Sequence, residues 1–442
     1  MPTGMVNQLW ASIADAGREL LRGRAGGRRR GPAALCRDLL STRGEASGAA
    51  LAREVVEAYR SLPDADRLGF FRNLASDYSA DHEKVLAAVE EYRDAPGFRT
   101  LATLRKATES PRIELFRRMN MAPNGTRALV RLRAELLALL REHGELREVD
   151  ADLHGLLTSW FNPGFLSLAR IDWNSPAALL EKLVRYEKVH RMRALEDLKR
   201  RLAPDRRCFA FFHPALPDEP LIFVQVALVE GLAEQVQPLL DAAAPALLPA
   251  AADTAIFYSI SNCQDGLRGV NLGSFLIKLV VADLQRELPH LKTFATLSPI
   301  PGFASWLREE LAGAPSRFFD ADEQELLAMP GQAGWHEDAA AAERVRPVLM
   351  RLCAHYLVRE KRDGRPRDPV ARFHLGNGAR LERINWLGDV SPKGMAESAG
   401  LLVNYRYDPA TIERNHEAFV NSGEVIHSPA VRALLPKVTE PA

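Results

Sequence analysis

The stretch SISNCQDGLRGVNLGSFLIKLVVADLQREL, residues 259–288, changes character in its middle. It begins with alternating strand-forming residues, continues as a glycine-containing loop and ends with apolar residues at helical spacing. In a strand, loop and helix unit, the unpaired N–H groups and positive dipole of the first helical turn attract an anion. We therefore predict a phosphate-binding loop that consists of Gln264, Asp265, Gly266, Leu267, Arg268, Gly269 and Val270.

The glycine spacing excludes two common nucleotide-binding motifs. Gly266, Gly269 and Gly273 fit neither GxGxxG nor GxxxxGK[ST]. Gln264 and Arg268 add polar side chains that can bind phosphate oxygens, which favours a pyrophosphate ligand. An ordinary turn, with glycines that allow close packing, explains the same residues without a ligand.

Two further side chains, Ser298 and His374, could act on a bound molecule. Ser298 ends a predicted strand that returns from the helix, although a serine before Pro299 is also a common turn residue. His374 lies in ARFHL at 371–375, which we predict to be a strand, and a histidine there is also typical of a core. A histidine that titrates near neutrality would suit proton transfer.

Composition limits the classes of partner. The 58 basic and 57 acidic residues nearly cancel, so we expect neither nucleic-acid nor membrane-surface binding. No apolar run approaches the ~20 residues of a membrane-spanning helix. The cysteines are far apart and form no CxxC pair, which argues against a metal site and for reduced thiols: Cys36, Cys208, Cys263 and Cys353.

The chain ends bear on location. The arginine cluster at 22–31 is compatible with an organellar transit segment, but the nearby acidic Asp15 and Glu19 favour a mobile basic segment over 1–46. The C-terminal VTEPA contains no peroxisomal tripeptide. We expect a cytoplasmic protein.

The elements that would position these residues fall into two parts. Residues 47–202 have helical periodicity, as in the stripe Leu51, Val55, Tyr59 and Leu62, and we predict only helices there. From residue 203 to 442 helices alternate with seven predicted strands at 208–214, 220–229, 254–261, 292–298, 371–375, 379–387 and 401–407. The fold class is therefore α+β: an all-helical domain followed by a mixed α/β domain.

Several long motifs resemble the malonyl-CoA decarboxylase family. They run in order from about residue 200 to 410: HPALPDEPLIFVQVAL (213–228), FYSISNCQDGLRGVNLGSFLIK (257–278), FATLSPIPGFASWL (294–307), FHLGNGARLERINWLGDVSPKG (373–394) and LLVNYRY (401–407). The preceding helices are similar to that family's helical N-terminal domain.

The resemblance implies a GNAT-like catalytic domain at 203–442 and a helical domain at 47–202 that takes part in homo-oligomer assembly. It also implies decarboxylation of malonyl-CoA, with the substrate loop at Gln264 to Val270 and Ser298 and His374 as catalytic residues. No cofactor is expected, because the thioester itself accepts the electron pair. Which groups stabilise the resulting enolate stays open: Asn377, Asn404 and Tyr405 are polar, yet each is equally well explained as a structural hydrogen-bonding residue.

Two other functions fit the same pattern. An acyl-CoA acyltransferase would share the fold and loop, but we identify no acceptor groove and no base for an acceptor amine. A sensor without catalytic activity would bind malonyl-CoA and not convert it. Release of carbon dioxide without an added acceptor separates the decarboxylase from both.

Overall fold

A computed structural model of the chain describes residues 9, 11–16, 30–41, 44–270, 272, 276–313, 318–331 and 334–435. The chain forms two compact units, each built from several segments. The first contains Met1–Ser167, Phe212–Leu221 and Gln264–Leu272, and the second contains Leu168–Phe211, Ile222–Cys263 and Gly273–Ala442.

The first unit is helical. Its helices are α1 (Pro32–Ser41), α2 (Glu45–Arg60), α3 (Asp64–Ser76), α4 (His82–Asp94), α5 (Phe98–Thr108), α6 (Pro111–Met119), α7 (Gly125–Leu139) and α8 (Arg147–Trp160). Three members of the predicted apolar stripe, Leu51, Val55 and Tyr59, lie on α2 and are buried, because they repeat about once per turn. Asp81 begins α4 by accepting hydrogen bonds from two backbone N–H groups.

The segment at 1–46, predicted to be mobile, contains helix α1 near its end. This helix buries Leu35, Cys36 and Leu39, which share one helical face. The mobility of the segment stays a prediction. The arginine cluster at 22–31 lies mostly outside the described residues.

The second unit contains a sheet surrounded by helices. Its strands are β1 (Ser167–Ile171), β2 (Arg206–Phe212), β3 (Ile222–Val229), β4 (Thr254–Asn262), β5 (Thr293–Thr296), β6 (Ser298–Pro299), β7 (Lys361–Arg362), β8 (Arg365–Pro366), β9 (Arg380–Asn385) and β10 (Leu402–Arg406). Its helices are α9 (Ala177–Tyr186), α10 (Leu195–Arg201), α11 (Gln237–Leu240), α12 (Leu276–Glu287), α13 (Phe303–Ala312), α14 (Ala321–Leu327), α15 (Ala339–Val358), α16 (Pro369–Gly376), α17 (Pro392–Ser398), α18 (Ile412–Ser422) and α19 (Pro429–Leu434).

The main sheet has eight strands in the order β1-β2-β3-β4-β5-β10-β6, with β9 paired to β10. Strands β4 and β5 are parallel, as predicted for a strand, loop, helix and strand unit. Strand β10 runs antiparallel to β5, β6 and β9. Its register places Val403 opposite Ser298. Side chains such as Ile256, Leu297 and Leu402 form a buried cluster on this sheet.

Six of the seven predicted strands are confirmed, and the one at 371–375 is wrong. Those residues belong to α16, because Asp368 caps this helix and Pro369 occupies its first position. The prediction of helices alone up to residue 202 is also wrong, since β1 joins the sheet beside β2.

Two segments contain short helices. Residues 230–242 include only α11, and residues 175–202 are divided into α9 and α10. The side chain of Glu187 accepts hydrogen bonds from the N–H groups of Val189 and His190, which replaces the helical pattern after α9. None of the helices in the described part of the chain has the length and apolar character needed to span a bilayer.

Candidate active site

The predicted loop begins directly after β4 and belongs to the first unit. Asp265 to Leu267 form a single 3-10 turn. The buried guanidinium of Arg133 on α7 donates to the carbonyl oxygens of Gly266 and Arg268, at 2.7 and 2.8 Å. A carboxylate oxygen of Asp150 lies 2.7 Å from the same guanidinium. The loop backbone is therefore fixed by a buried ion pair.

The two glycines of this loop suit their positions for different structural reasons. Gly266 packs against α7 so closely that a Cβ would lie 1.8 Å from the carbonyl oxygen of Val130. Gly269 has a φ of +84°, a backbone conformation that residues other than glycine rarely adopt. Gly273 and the first turn of the predicted helix lie outside the described residues.

The polar side chains of the loop differ in their contacts and in their exposure to solvent. Gln264 donates a hydrogen bond to the carbonyl oxygen of Pro220 at 3.1 Å, so its amide N–H is already engaged. Asp265 and Arg268 are exposed to solvent, whereas Leu267 and Val270 are buried. Arg268 is thus the loop's accessible cation, and the phosphate-binding role of the loop stays a prediction.

Ser298 and His374, which both belong to the second unit, are in contact. The Ser298 hydroxyl lies 3.0 Å from Nε2 of His374, and both residues are at most 5% exposed. The pair of strands β6 and β10 places Ser298, while helix α16 carries His374. The structure therefore brings together the two predicted catalytic residues.

Tyr407 completes a chain of three polar groups. Its hydroxyl lies 2.8 Å from Nδ1 of His374, and its side chain is buried. Since the Ser298 hydroxyl donates its proton to Thr296, the Ser298 oxygen accepts from Nε2–H of His374, and Nδ1 accepts from the Tyr407 hydroxyl. Such a chain can carry a proton from one end to the other.

Burial controls the charge of His374. The ring of Tyr405 stacks on the imidazole with centroids 4.7 Å apart, and burial lowers the pKa of His374 to about 3. The imidazole is therefore neutral at physiological pH. This differs from the expectation of a histidine that titrates near neutrality, and it favours proton transfer through a neutral imidazole.

Neighbouring polar groups fix Ser298. Its hydroxyl donates to Oγ1 of Thr296 at 2.8 Å, and the backbone N–H of Tyr405 donates to that same oxygen at 3.1 Å. The amide of Asn404 donates to the carbonyl of Thr296 and accepts from Asn385. The polar atoms of Asn404 are thus engaged within the sheet.

The remaining polar candidate from the sequence is Asn377. Its side chain donates to the carbonyl of Phe373 at the end of α16. These contacts favour the structural explanation for Asn377 and Asn404.

Asp368 links the two segments that carry the catalytic pair. One oxygen of its carboxylate accepts from the N–H groups of Val370 and Ala371 and so caps α16. The other oxygen accepts, at 3.4 Å, from the N–H of Gly302. Gly302 lies a few residues after Ser298 in the chain. Burial raises the pKa of Asp368 to about 6, although these N–H groups act in the opposite direction.

The sequence analysis missed Tyr407, Thr296 and Asp368 as members of the site. Tyr405 and Tyr407 are two residues apart, and this strand spacing could have indicated that both face one side of the sheet. Nothing comparable marks Thr296. Asp368 stands directly before Pro369, a combination typical of a helix start.

In the described part of the chain, potential metal ligands do not cluster and the cysteines are buried. Among the described residues, no group of three or more His, Cys, Asp and Glu side chains is placed to bind a metal ion. All four cysteines are free and buried. Burial raises the pKa of the Cys263 thiol well above its ordinary value, which disfavours the nucleophilic thiolate.

Comparisons with known proteins agree with this architecture. The family model for the malonyl-CoA decarboxylase N-terminal domain matches residues 78–161, and that for the malonyl-CoA decarboxylase C-terminal domain matches residues 164–442. The mitochondrial malonyl-CoA decarboxylase of Anser anser anser is 38% identical over 405 residues, covering 84% of this chain and 80% of the relative. That of Rattus norvegicus is 36% identical over 417 residues, covering 86% and 84%.

Solved structures of malonyl-CoA decarboxylases are also similar. The protein from Rhodopseudomonas palustris has a TM-score of 0.88 at 49% identity, covering 90% of this chain and 98% of that one. The protein from Agrobacterium vitis has a TM-score of 0.85 at 48% identity, covering 92% and 100%. The α+β fold of this chain is thus shared with solved malonyl-CoA decarboxylases. The chain belongs to the malonyl-CoA decarboxylase family.

Proposed function

We propose that the chain converts malonyl-CoA to acetyl-CoA and carbon dioxide with Ser298, His374 and Tyr407 as its catalytic groups. Membership of the family supports the overall reaction. The observation that carries the residue assignment is the buried contact of 3.0 Å between Ser298 Oγ and His374 Nε2, with Tyr407 on the other ring nitrogen.

The chemistry needs few protein groups. The bond between the α-carbon and the carboxylate breaks, carbon dioxide leaves, and the electron pair moves into the thioester as an enolate. Hydrogen-bond donors aimed at the enolate oxygen contribute about 3 to 4 kcal/mol each when preorganised. One proton must then reach the α-carbon, and the group that donates this proton finally regains one from solvent.

The contacts of His374 suggest the route of that proton. Ser298 hydrogen-bonds the malonyl group and gives its hydroxyl proton to the α-carbon, while Nε2–H of His374 reprotonates Ser298. The hydroxyl of Tyr407 restores the proton at Nδ1, and a proton from solvent returns to Tyr407 in the same step, because burial raises the pKa of Tyr407 and disfavours its phenolate. The imidazole stays neutral in total, which agrees with its lowered pKa.

The loop from Gln264 to Val270 is proposed to bind the coenzyme A pyrophosphate. Two features support this role: a backbone fixed by Arg133, and an exposed loop cation at Arg268. Gly269 has a positive φ and no side chain, so phosphate oxygens can approach the backbone at this position.

Incubation of the purified protein with malonyl-CoA alone tests the reaction. We expect equal amounts of acetyl-CoA and carbon dioxide, without release of free thiol. Thiol release that depends on an added amine would instead identify an acyltransferase. Binding of malonyl-CoA without any product would identify a sensor.

We also propose that the protein is a homo-oligomer assembled through its helical unit. Helices α4 and α5 expose the large apolar side chains Leu86, Val89 and Phe98, and α5 has no buried residue. Apolar side chains grouped on a helical hairpin are typical of a covered surface. A second copy of this chain is the proposed cover.

Light scattering tests the assembly. The unaltered protein should have a mass of at least two chains at micromolar concentration, and Leu86→Ser combined with Phe98→Ser should lower it. Leu248→Ser is a matched control, since Leu248 is a 76% exposed leucine of the second unit. A monomer in the unaltered protein would contradict the proposal.

A cytoplasmic location is proposed from the four free buried thiols, which suit a reducing compartment. The goose and rat relatives are described as mitochondrial, so the compartment is a point on which this chain can differ from them. Cell fractionation with an antibody against the full chain tests it. Recovery with an organelle fraction would contradict it.

A further inference from the structure

A cavity of about 120 Å³ lies among helices α2, α3, α6 and α7 of the first unit. Its floor is apolar and consists of Val56, Met119, Ala128 and Leu132, none more than 9% exposed. For comparison, an apolar cavity of about 150 Å³ accommodates benzene. The floor therefore has room for a short aliphatic group.

One end of the cavity is electrically neutralised. Glu135 on α7 accepts a hydrogen bond from the hydroxyl of Tyr59 and pairs with Arg67 at 3.0 Å. The Arg67 guanidinium also lies over the Tyr59 ring, 5.9 Å from its centroid. The carboxylate of Glu135 and the guanidinium of Arg67 leave no net charge there to attract a ligand, although Nε of Arg67 is buried without a hydrogen-bond partner.

The other end carries positive charge. Arg60 and Arg131 line the cavity there, and among the described residues neither has a carboxylate within ion-pair distance. Arg127, one turn before Arg131, donates to the carbonyl of Pro217 and lies 3.8 Å from Glu219. Burial and then the charges of Arg131 and Arg127 lower the pKa of Arg60, and the weaker effect of the Glu57 carboxylate acts in the opposite direction. An anion placed there would relieve this repulsion.

We propose that this Arg60–Arg131 cleft, defined by those two arginines and the apolar floor, binds a small aliphatic carboxylate. The aliphatic group lies on the floor, and the carboxylate accepts hydrogen bonds from the two guanidinium groups. A phosphate ion fits less well, because the apolar floor offers no partners to its remaining oxygens.

Calorimetric titration of the full chain with butyrate tests the proposal. We expect saturable binding of butyrate, weaker binding of inorganic phosphate, and none of the uncharged analogue butyramide. Arg131→Gln should weaken butyrate binding about tenfold to hundredfold, as expected for one charged hydrogen-bonding group. Arg105→Gln is the matched control, because Arg105 is an exposed arginine of α5 in the same unit.

A second variant tests the floor. Ala128→Leu fills the cavity and should abolish butyrate binding. Turnover of malonyl-CoA should be unchanged in all three variants, which shows that they are folded. The proposal is overturned by butyramide binding as tightly as butyrate, by phosphate binding more tightly, or by unchanged butyrate affinity in Arg131→Gln or Ala128→Leu.

Discussion

The hydroxyl of Tyr407 lies 2.8 Å from Nδ1 of His374, and both side chains are almost completely buried. Since Nε2 of the same ring contacts Ser298, both nitrogens of the imidazole are engaged. Tyr407 therefore determines which nitrogen of His374 holds the proton. The sequence did not suggest this contact.

Tyr407→Phe removes the hydroxyl and leaves Nδ1 without a partner. We expect kcat to fall about tenfold or more, in the range of lost acid and base catalysis, with little change in KM. Stability should fall by about 1 to 3 kcal/mol, the cost of a buried unsatisfied group. Tyr258→Phe is the control: this buried hydroxyl donates to Gln225, so its loss should cost stability but not kcat. Equal kcat values for the two variants would contradict the relay.

Ser298 and His374 should behave as one catalytic unit. His374→Asn should lower kcat by about a hundredfold to ten-thousandfold, and Ser298→Ala should also be impaired. Because the two groups share one proton route, the double variant should be no slower than the slower single variant. Steady-state kinetics with malonyl-CoA measure this. Multiplied effects in the double variant would show that the residues act independently, and near-normal turnover of His374→Asn would remove it from the site.

Acid should destabilise the protein through His374. Its pKa is about 3 in the folded chain and 6.5 ordinarily, so the unfolded chain binds more protons between these values. Stability from this group is complete above pH 6.5 and is lost as pH falls towards 3. Urea unfolding of the unaltered protein should therefore lose about 1.4 kcal/mol per pH unit relative to His374→Asn in that window. Parallel pH profiles for the two proteins would contradict the shift.

The strands of the sheet could largely be predicted from the sequence, because β3 and β4 are runs of Val, Ile and Phe bounded by Pro, Asp or Asn. Strand β1 could not, since SLARI has little strand character and becomes a strand by pairing with β2. The short apolar run ARFHL fits a strand or a helix equally well. Its true state depends on the cap at Asp368, outside the run.

The site could be predicted only in part. The family resemblance named Ser298 and His374, but their contact joins positions 76 residues apart and depends on the register of β6 against β10. The charge of His374 likewise depends on burial by Tyr405, a consequence of the tertiary fold. Local sequence patterns contain neither distance nor burial, so they could not predict a neutral imidazole.

Gly269 should be required for coenzyme A binding. Gly269→Val places a side chain where the loop backbone would meet phosphate, and we expect calorimetry to give roughly tenfold weaker binding of free coenzyme A, as for a lost hydrogen bond to a charged group. Gly364→Val is a matched control. Its φ of +76° imposes the same backbone strain as the +84° of Gly269, and a Cβ there meets nothing within 4 Å. Unchanged affinity in Gly269→Val, or an equal loss in the control, would contradict the proposed loop.

Asp368 should set the geometry of the catalytic pair without touching the substrate. In Asp368→Asn one oxygen still caps α16, but an NH₂ group replaces the acceptor that faces the N–H of Gly302. The segment after Ser298 then loses its tie to the helix of His374. Misplacement of reacting groups is costly, so kcat should fall about tenfold to hundredfold with KM nearly unchanged.

A second cap separates this role from simple helix capping. Asp338 caps α15 in the same way, by accepting from the N–H groups of Ala340 and Ala341, and it is exposed. Asp338→Asn should therefore match Asp368→Asn in helix content yet keep a normal kcat. Asp368→Glu retains the carboxylate but lengthens it, and its kcat should lie between that of Asp368→Asn and the unaltered protein. If kcat is normal in Asp368→Asn, the pair is positioned by the sheet and α16 alone, and the tie to Gly302 has no catalytic consequence.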